Sequence, residues 1–186
     1  MIAVLNDVLA IGRLDAGRIE FQPRPLDLRS LCEHLIEEWA ATNEGPQRIK
    51  LVCDDPQVPI QGDAKLLRHL LSNLIANGLK YSPADGSVTV VLTQAPGKAT
   101  IAVQDRGIGI AEADRVRLFE PFFRGQNVGN VVGSGLGLAI VKRYADLHGA
   151  RLSCESRLEE GSTFLVEFPA PTMAAELTAL PQPPTP

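Results

Sequence analysis

The stretch from His69 to Ser82 constrains the fold of this chain more than any other part of the sequence. At about 100° per residue it predicts an amphipathic helix with two distinct faces. One face is apolar and requires a core: Leu67, Leu71, Leu74, Ile75 and Leu79. The other face is polar: Asn73, Asn77, Lys80 and Tyr81. Two interpretations are open for the polar face, a solvated stripe or the floor of a polar ligand site.

Composition limits the classes of protein to which the chain can belong. Its 186 residues are 45% hydrophobic, which is enough to bury one core, or one core and a short appendage. The net charge of −4 is small and the charges are interspersed, which favours neither nucleic acid nor an anionic membrane as a partner. Cys32, Cys53 and Cys154 form no Cys-x-x-Cys pair, which is typical of reduced, buried thiols in a cytoplasmic protein and excludes an obvious zinc site. No apolar run is long enough to span a bilayer, so we expect a soluble chain.

Periodicity and turn residues predict helices and strands through the middle of the chain. A short extended segment is expected at 19–22, before Pro23 and Pro25, and Asp27 is expected to cap the helix that follows. The predicted helices are 28–41, 63–81 and 138–148, and the predicted strands are 48–53, 59–61, 87–94, 99–105, 151–155 and 162–168. The last four strands form two hairpins. About five strands in a mixed, mostly antiparallel sheet, covered on one face by three helices, make a two-layer α/β sandwich.

The two ends of the sequence differ from this middle part. Residues 1–17 carry an apolar stripe at helical spacing that stops at Gly17, without a preceding N-cap. Such a stripe needs a partner helix, so we interpret it as the end of a helical hairpin whose first half is missing. The last 18 residues contain six prolines and no periodic apolar face, which predicts a disordered tail from Pro169 onward.

Two glycine clusters are suited to a ligand. Asp105-Arg-Gly107-Ile-Gly109 follows a predicted strand, so its carboxylate can accept a hydrogen bond from an exocyclic amine while the glycines let the backbone approach a flat ligand. An ordinary turn is the alternative. Gly133-Ser-Gly135-Leu-Gly137 precedes a helix whose free N–H groups suit an anion, with a plain flexible loop as the alternative. Its spacing matches neither a Walker A loop nor a dinucleotide-binding fingerprint.

A phenylalanine-rich segment, Leu118-Phe-Glu-Pro-Phe-Phe-Arg124, lies between the two glycine clusters. Phe119, Phe122 and Phe123 suggest a hydrophobic latch that holds a mobile flap, with ordinary core packing as the alternative. Arg124 either reaches a phosphate or is simply exposed to solvent. Thr163, near the start of the last strand, either contributes to the same ligand site or belongs to a turn.

Together these pieces occur in the order and spacing of a known family. The chain resembles the catalytic, ATP-binding domain of sensor histidine kinases, within the larger group that includes gyrase, HSP90 and the mismatch-repair ATPases. The four motifs that carry the resemblance are 73–82, 105–109, 119–122 and 133–137. It implies the Bergerat-type ATP-binding fold over about residues 19–168. It also makes residues 1–18 the end of a dimerisation and phosphoacceptor hairpin, and leaves 169–186 as the tail.

The resemblance implies a role for each motif residue. Asp105 accepts a hydrogen bond from the adenine amino group, Tyr81 packs beside the ring, and Asn77 holds an Mg²⁺ ion that arrives with the triphosphate. Lys80 and Arg124 contact phosphates, beneath a lid whose hinge is the second glycine cluster. The implied catalytic residues are Asn73, Lys80 and Arg124, and the implied binding residues for ATP and Mg²⁺ are Asn73, Asn77, Lys80, Tyr81, Asp105, Gly107, Gly109, Phe119, Phe122, Gly133, Gly135, Leu136, Gly137, Leu138 and Thr163.

One position separates a kinase from a hydrolase within the group. The related ATPases, as the resemblance implies, carry a glutamate general base one helical turn before the metal-binding asparagine, and Asn73 stands there in this chain. An amide cannot accept a proton at neutral pH, so we expect slow hydrolysis and a γ-phosphate kept for another acceptor. Gly78 stands where the family usually has alanine, and we expect the helix still to pack closely and to bind nucleotide.

The expected function is that of a protein-histidine kinase in a two-component system. None of His34, His69 and His148 has the sequence setting of the family's acceptor, so we interpret all three as structural. The acceptor histidine is then expected in a dimerisation domain of the same kinase, outside this chain and within a homodimer. A response regulator is the implied downstream partner, and the location is cytoplasmic whether or not the parent kinase is membrane-anchored. The competing hypotheses are a nucleotide-binding regulatory module without transfer activity and a related ATPase.

Overall fold

A computed structural model describes residues 12, 20–41, 48–129, 131 and 133–169. The predicted leading helix and the proline-rich tail lie outside these residues, apart from Gly12 and Pro169. The elements in chain order are β1 (Arg24–Asp27), α1 (Leu28–Ala41), β2 (Ile49–Cys53), β3 (Pro59–Gly62), α2 (Ala64–Tyr81), β4 (Val88–Ala95), β5 (Lys98–Asp105), α3 (Glu112–Arg115), a single 3₁₀ turn (Gln126–Val128), α4 (Gly137–Leu147), β6 (Arg151–Arg157) and β7 (Gly161–Pro169).

Five of the strands form one mixed sheet in the order β2-β4-β5-β7-β6. Strands β2 and β4 run parallel, and every other neighbouring pair is antiparallel. The two predicted hairpins are confirmed as β4–β5 and β6–β7. In the register between β5 and β7, Asp105 lies opposite Ser162, at the end of the sheet where the first glycine cluster begins.

One face of the sheet packs against the three long helices, which confirms the predicted two-layer α/β fold. Alternate residues of the three central strands are buried on that face, as a period of two requires: Val88, Val90, Leu92, Ala99, Ile101, Val103, Phe164, Val166 and Phe168. The apolar face of α2 lies in the same core, with Leu67, Leu71, Leu74 and Ile75 at most 1% exposed. The apolar half of the amphipathic pattern is therefore confirmed.

Two aspartates, Asp27 and Asp63, cap the N-termini of α1 and α2. Asp27 accepts hydrogen bonds from the backbone N–H groups of Arg29 at 3.1 Å and Val58 at 2.7 Å, so it joins the start of α1 to the chain before β3. Asp63 accepts from the N–H groups of Lys65 and Leu66. Burial would raise the pKa of Asp63, but these N–H donors and that of Gln22 together hold it below its usual value.

The extended segment expected at 19–22 is corrected by the structure, because the strand is Arg24–Asp27. Among the described residues, β1 pairs with β3 alone in a separate two-stranded antiparallel sheet. Pro25 is tolerated because an edge strand needs N–H groups on one side only. The prolines that indicated an interruption therefore lie inside a strand or directly before it.

Gly78 is buried in the last turn of α2, where the lack of a side chain permits close packing. A Cβ at this position would lie 2.7 Å from Cγ2 of Val88 in β4. The glycine lets the helix approach the sheet while the β-branched valine fills the space, which confirms the expected close packing. Separately, no helix among the described residues is long and apolar enough to cross a bilayer.

Candidate functional site

A cavity of about 610 Å³ lies over the polar face of α2. Its other walls come from the loop after β5, the segment before α4, and the start of β7. The predicted residues that line it are Asn73, Asn77, Lys80, Tyr81, Asp105, Gly109, Arg124, Gly133, Gly135, Gly137 and Leu138. The polar face of α2 is therefore the floor of a cavity, which resolves the first ambiguity of the sequence.

Asp105 occupies one end of the cavity, where β5 stops. Its Oδ1 accepts a hydrogen bond from the N–H of Gly107 at 2.8 Å. Burial raises the pKa of this carboxyl, while the N–H groups of Gly107 and Ser162 act in the opposite direction. Partial burial with two backbone donors fixes the carboxylate, so it is a rigid hydrogen-bond acceptor for a ligand.

The glycines after Asp105 are required by close backbone contacts rather than by flexibility. A Cβ on Gly107 would lie 2.5 Å from the carbonyl oxygen of Tyr81, so this glycine packs on the end of α2 instead of facing the cavity. Gly109 has φ +66°, and a Cβ there would lie 1.9 Å from the carbonyl oxygen of Arg157. The loop is thus pressed between α2 and the β6–β7 turn.

The polar residues of α2 face the second glycine cluster. Nδ2 of Asn73 donates to the carbonyl of His69 at 3.0 Å, which leaves Oδ1 directed at Gly137. Nζ of Lys80 lies 3.2 Å from the hydroxyl of Tyr81 and 4.7 Å from the centroid of its ring. A Cβ on Gly133 would lie 2.5 Å from the same Nζ, so the loop backbone passes directly over the ammonium group.

Arg124 ties the phenylalanine segment to the glycine loop. Its guanidinium donates to the carbonyl oxygens of Val131 at 2.6 Å and Gly133 at 2.8 Å, and both bonds are exposed. Beyond them, Leu136 is 1% exposed and belongs to the core rather than to the cavity wall. Helix α4 then begins at Gly137, with its positive end at the cavity, as suits an anion.

The three phenylalanines have three different environments. Phe119 packs against the hydrophobic core, and Phe123 lines the cavity with Arg117 4.7 Å from its ring centroid. Phe122 is 70% exposed, has φ +63°, and uses its N–H to bond the carbonyl of Gly135. The prediction of one latch is therefore corrected: neither Phe119 nor Phe122 lines the cavity, and Phe122 connects the two loops through its backbone.

Thr163 is also corrected, because strand alternation turns it away from the cavity. Phe164 and Val166 face the helices, so Ser162 shares their side of β7 and Thr163 lies on the opposite face. Ser162 lines the cavity beside Asp105 and is 7% exposed. The sequence prediction was therefore displaced by one residue, since it assigned the ligand-facing hydroxyl to Thr163 instead of Ser162.

Several cavity residues were not predicted. His69, Ser72 and Ala76 continue the stripe of Asn73 and Asn77 at helical spacing, so the periodicity of α2 contained the signal. Trp39 belongs to α1, and no local pattern connects it to this stripe. The remaining unpredicted lining residues are Ile108, Ile110, Leu118, Phe123, Gly125, Asn127, Val128, Ser134, Ser162 and Phe164.

The three histidines differ in their surroundings. His148 is buried; its Nε2 accepts from the N–H of Asp63 at 3.0 Å and its Nδ1 donates to the carbonyl of Tyr144 at 2.7 Å. Burial lowers its pKa, so it serves as a neutral structural residue. Nδ1 of His34 bonds the carbonyl of Ser30 on the exposed side of α1. His69 lines the cavity, and its Nδ1 lies 3.4 Å from the hydroxyl of Tyr144.

The oxygen donors near α2 limit the kind of metal site the cavity can form. Among the described residues, no cluster of three His, Cys, Asp or Glu side chains is placed to hold a metal ion. The available donors are the amides of Asn73 and Asn77, next to the positive Lys80. A neutral amide is a weak ligand for Mg²⁺, which usually takes phosphate oxygens and keeps several waters. The set fits Mg²⁺ bound together with a triphosphate, and it does not fit a metal held by protein alone.

Known protein sequences are similar to this one over much of the chain. The profile of the family described as histidine kinase-, DNA gyrase B-, and HSP90-like ATPase matches residues 62–172. Histidine protein kinase DivJ of Caulobacter vibrioides is 31% identical over 186 residues, which cover 99% of this chain and 31% of DivJ. Phosphate regulon sensor protein PhoR of Pseudomonas aeruginosa is 34% identical over 175 residues, which cover 93% of this chain and 39% of PhoR. The chain thus spans well under half of either relative.

Solved structures share the fold as well. The mycobacterial sensor histidine kinase MprB is 30% identical, with a TM-score of 0.68 over 82% of this chain and 100% of that one. Full-length ShkA, solved in complex with AMPPNP, is 29% identical, with a TM-score of 0.76 over 91% of this chain and 36% of that one. The profile, the relatives and the fold agree with the resemblance seen in the sequence, so the chain belongs to the family of histidine kinase-, DNA gyrase B- and HSP90-like ATPases, as an ATP-binding catalytic domain of the sensor histidine kinase type.

Proposed function

We propose that this chain binds Mg-ATP in the cavity over α2 and transfers the γ-phosphoryl group to a histidine that the chain does not contain. The observation that carries the proposal is the distribution of charge in the cavity. Among the described lining residues, Asp105 is the only carboxylate, and it lies at one end. The other lining residues include two amides and two cations: Asn73, Asn77, Lys80 and Arg124.

The end near Asp105 suits the base. The fixed carboxylate accepts a hydrogen bond from the exocyclic amine of adenine, and a bond of this kind to a charged group contributes about 1.5–3 kcal/mol. Tyr81 packs beside the ring, and Gly109 lets the loop lie close to its plane. An adenine amino group is a donor, which matches a site whose fixed side chain is an acceptor.

The opposite end suits the triphosphate. Lys80 and Arg124 supply positive charge, and the N-terminus of α4 at Gly137 adds backbone N–H donors. Asn77 would hold Mg²⁺ through its amide oxygen, jointly with phosphate oxygens, and the ion would neutralise charge on the transferring group. The chain's own part is to position the γ-phosphate and to exclude water under the loop that crosses Lys80.

Apart from Asp105 at the base end, none of the described residues that line the cavity is a carboxylate, which favours transfer over hydrolysis. A hydrolase of this family needs a general base near the attacking water, and Asn73 cannot serve as one. Oδ1 of Asn73 points at Gly137, which suits a hydrogen bond to a water or a phosphate without proton removal. His69 lies one turn before Asn73 in α2, and its Nδ1 faces the Tyr144 hydroxyl. The γ-phosphate is therefore kept for another nucleophile.

The proposed acceptor is a histidine of a dimerisation domain within a homodimer of the parent kinase. We assign residues 1–18 to the end of that domain, 19–168 to the catalytic domain and 169–186 to a tail. A response regulator would receive the phosphoryl group next. A cytoplasmic location is supported by the cysteines, since Cys32, Cys53 and Cys154 are all free thiols, as is usual in a reducing compartment.

Incubation with γ-labelled ATP and Mg²⁺ tests the transfer. We expect no acid-labile label on the chain alone and label on a separately expressed dimerisation hairpin that carries the acceptor histidine. Tight ATP binding without label on the hairpin would favour a regulatory module instead. Phosphate release over many turnovers by the chain alone would favour an ATPase.

Substitution of Asn77 tests the metal assignment. Asn77→Ala is expected to remove the Mg²⁺-dependent part of ATP affinity, measured by calorimetry with and without Mg²⁺. Ser72→Ala, on the same face of α2, is the matched control and should leave that part in place. If Asn77→Ala retains the full effect of Mg²⁺ on affinity, Asn77 is not the metal ligand.

A further inference from the structure

The hydroxyl of Ser156 in β6 makes three hydrogen-bond contacts that converge beside the base end of the cavity. Its Oγ lies 2.8 Å from the carbonyl oxygen of Gly161 and 2.9 Å from the N–H of Ile110. It also lies 3.0 Å from Oγ of Ser162. One hydroxyl therefore joins the loop after Asp105 to the first residues of β7.

Proton counting fixes the direction of each of these bonds. A hydroxyl has a single proton to donate, and a carbonyl oxygen can only accept. At 2.8 Å, two oxygens without a proton between them repel, so Ser156 donates to Gly161. The N–H of Ile110 donates to Ser156. The remaining contact can then be made in one way only, with Ser162 as donor and Ser156 as acceptor.

The consequence reaches the cavity through Ser162. Because its proton is committed to Ser156, the hydroxyl of Ser162 presents only lone pairs to a ligand. Its neighbour Asp105 presents a carboxylate that already accepts from Gly107. Both side chains line the cavity, so the wall at this end holds two acceptors side by side and no side-chain hydroxyl donor between them.

We propose that Ser156 is a positioning residue for base selection: by taking the proton of Ser162, it keeps that hydroxyl an acceptor and so favours 6-amino purines over 6-oxo purines. The inference rests on the proposed function, in which the purine lies beside Asp105. An exocyclic amine brings two donors to this wall. A 6-oxo purine brings one donor, its N1–H, which Asp105 can accept, and its oxo group is a further acceptor that leaves Ser162 unmatched. Unmatched acceptors in a desolvated site are strongly disfavoured.

The same hydroxyl also supports the loop on which the base lies. Ile108 accepts a hydrogen bond from the N–H of Glu159 at 3.0 Å, and Gly109 packs against the carbonyl of Arg157. With the bond from Ile110 to Ser156, three successive residues of the loop are attached to β6 and its turn. A role limited to this attachment would affect all purine nucleotides equally, which separates it from base selection.

The test compares the affinities of ATP and inosine triphosphate, which differ at the 6-position, for the wild type and Ser156→Ala. Removing the hydroxyl of Ser156 frees the proton of Ser162 to point at the ligand. We expect the ratio of the two affinities, measured by calorimetry, to fall about tenfold toward unity, the effect of about one hydrogen bond. Ser153→Ala, on the same strand beside Leu165, is the matched control and should leave the ratio unchanged.

A double-mutant cycle with Ser162→Ala shows whether Ser156 acts through Ser162. In the Ser162→Ala background, Ser156→Ala is expected to leave the ratio unchanged, because no hydroxyl remains to reorient. An equal loss of both nucleotides, or the same change of ratio in both backgrounds, would overturn the proposal. If Ser156→Ala does not fold, Ser156→Cys takes its place, since a thiol is a weak donor and should lower the ratio in the same direction.

Failure of this inference is distinguishable from failure of the proposed function. If the wild type binds ATP tightly and the ratio is insensitive to Ser156, only the role of Ser156 is overturned. If the wild type binds neither nucleotide, the nucleotide site itself is wrong, and the role of Ser156 is overturned with it. Tight binding of ATP with a ratio that depends on Ser156 supports both.

Discussion

The two ends of the cavity are built in different ways. At the base end, Asp105 is held by backbone donors, Ser162 is 7% exposed, and Gly109 packs against the backbone of another turn. At the phosphate end, Lys80 and Arg124 are exposed side chains whose hydrogen bonds go to a neighbouring hydroxyl and to loop carbonyls. One end is fixed by main-chain packing, and the other by long, solvated side chains.

This difference indicates that the base end can discriminate between ligands and that the phosphate end can change its contacts when a ligand binds. Groups fixed before binding discriminate well, since a mismatched ligand cannot make them adapt. Exposed cations lose little when they change partner, because bonds between solvated groups contribute at most about 1 kcal/mol. The guanidinium of Arg124 can therefore exchange loop carbonyls for phosphate oxygens, which links the loop to the presence of the triphosphate.

The largest effect is expected from a substitution that disrupts the packing of the base end. In Gly109→Ala a Cβ would lie 1.9 Å from a backbone oxygen at φ +66°, so the cost in unfolding free energy should be about 3 kcal/mol or more, with loss of ATP binding. Gly149→Ala, just after α4, is the matched control: φ is +62° with nothing within 4 Å of the added Cβ, so only about 1–2 kcal/mol is expected. Urea unfolding and calorimetry measure both, and equal costs would contradict the packing argument.

The next largest effect, also at the base end, separates the contribution of Asp105 to ATP binding from its contribution to the stability of the fold. Asp105→Asn should weaken ATP binding roughly 10–150-fold, since about 1.5–3 kcal/mol of charge-assisted bonding is lost. Because burial raises the pKa of Asp105, its ionised form costs the folded state, and that cost is fully present above the raised pKa. The variant should therefore be at least as stable as the wild type at neutral pH, with less advantage in acid.

A substitution at a second carboxylate serves as the control for Asp105→Asn. Glu155 is an exposed residue of β6, outside the cavity, so Glu155→Gln should change neither ATP affinity nor stability measurably. Calorimetry and urea unfolding at two pH values measure both variants. A destabilised Asp105→Asn at neutral pH would show that the carboxylate supports the fold rather than the ligand.

A smaller effect is expected at the phosphate end. Arg124→Ala removes two exposed hydrogen bonds, so its stability should stay within about 0.5 kcal/mol of the wild type. ATP affinity should fall about fivefold, about 1 kcal/mol, while adenosine affinity stays the same. Arg117→Ala, in which the lost arginine stacks on Phe123, is the control and should retain the preference for ATP over adenosine. If Arg124→Ala lowered the affinities for adenosine and ATP equally, Arg124 would not act on the phosphates, and its assignment to the phosphate end would be wrong.

The sequence predicted much of the rigid end because its signals are local. The apolar stripe of α2 and the alternation of β4 and β5 each depend on residues close in the chain, and the structure confirms both. Asp105 was placed correctly because it ends a strand whose pattern is clear. Gly107 and Gly109 were predicted to let the backbone approach a ligand; Gly109 lines the cavity, whereas Gly107 packs on the carbonyl of Tyr81 instead.

The remaining parts depended on contacts between distant residues. Trp39 enters the cavity from α1, and Phe122 has an exposed ring while its N–H donates to the carbonyl of Gly135. Neither follows from local periodicity. Thr163 is a different kind of error, because the local alternation with Phe164 and Val166 already places Ser162, and not Thr163, on the side of β7 that faces the helices.

The dependence of binding on pH also distinguishes the two ends of the cavity. Binding of the adenine amino group needs Asp105 ionised, so adenosine affinity should be constant above the pKa of Asp105 in the free chain and fall as pH decreases through it. Because burial raises that pKa, the fall begins at a higher pH than an exposed aspartate would give. Asp105→Asn should show a flat, weak profile over the same range, since an amide does not titrate. A parallel titration with inorganic triphosphate and Mg²⁺, which uses the phosphate end alone, should not follow the same curve. If both ligands lose affinity together in the wild type, the acid effect belongs to the fold as a whole, and the two ends are not independent.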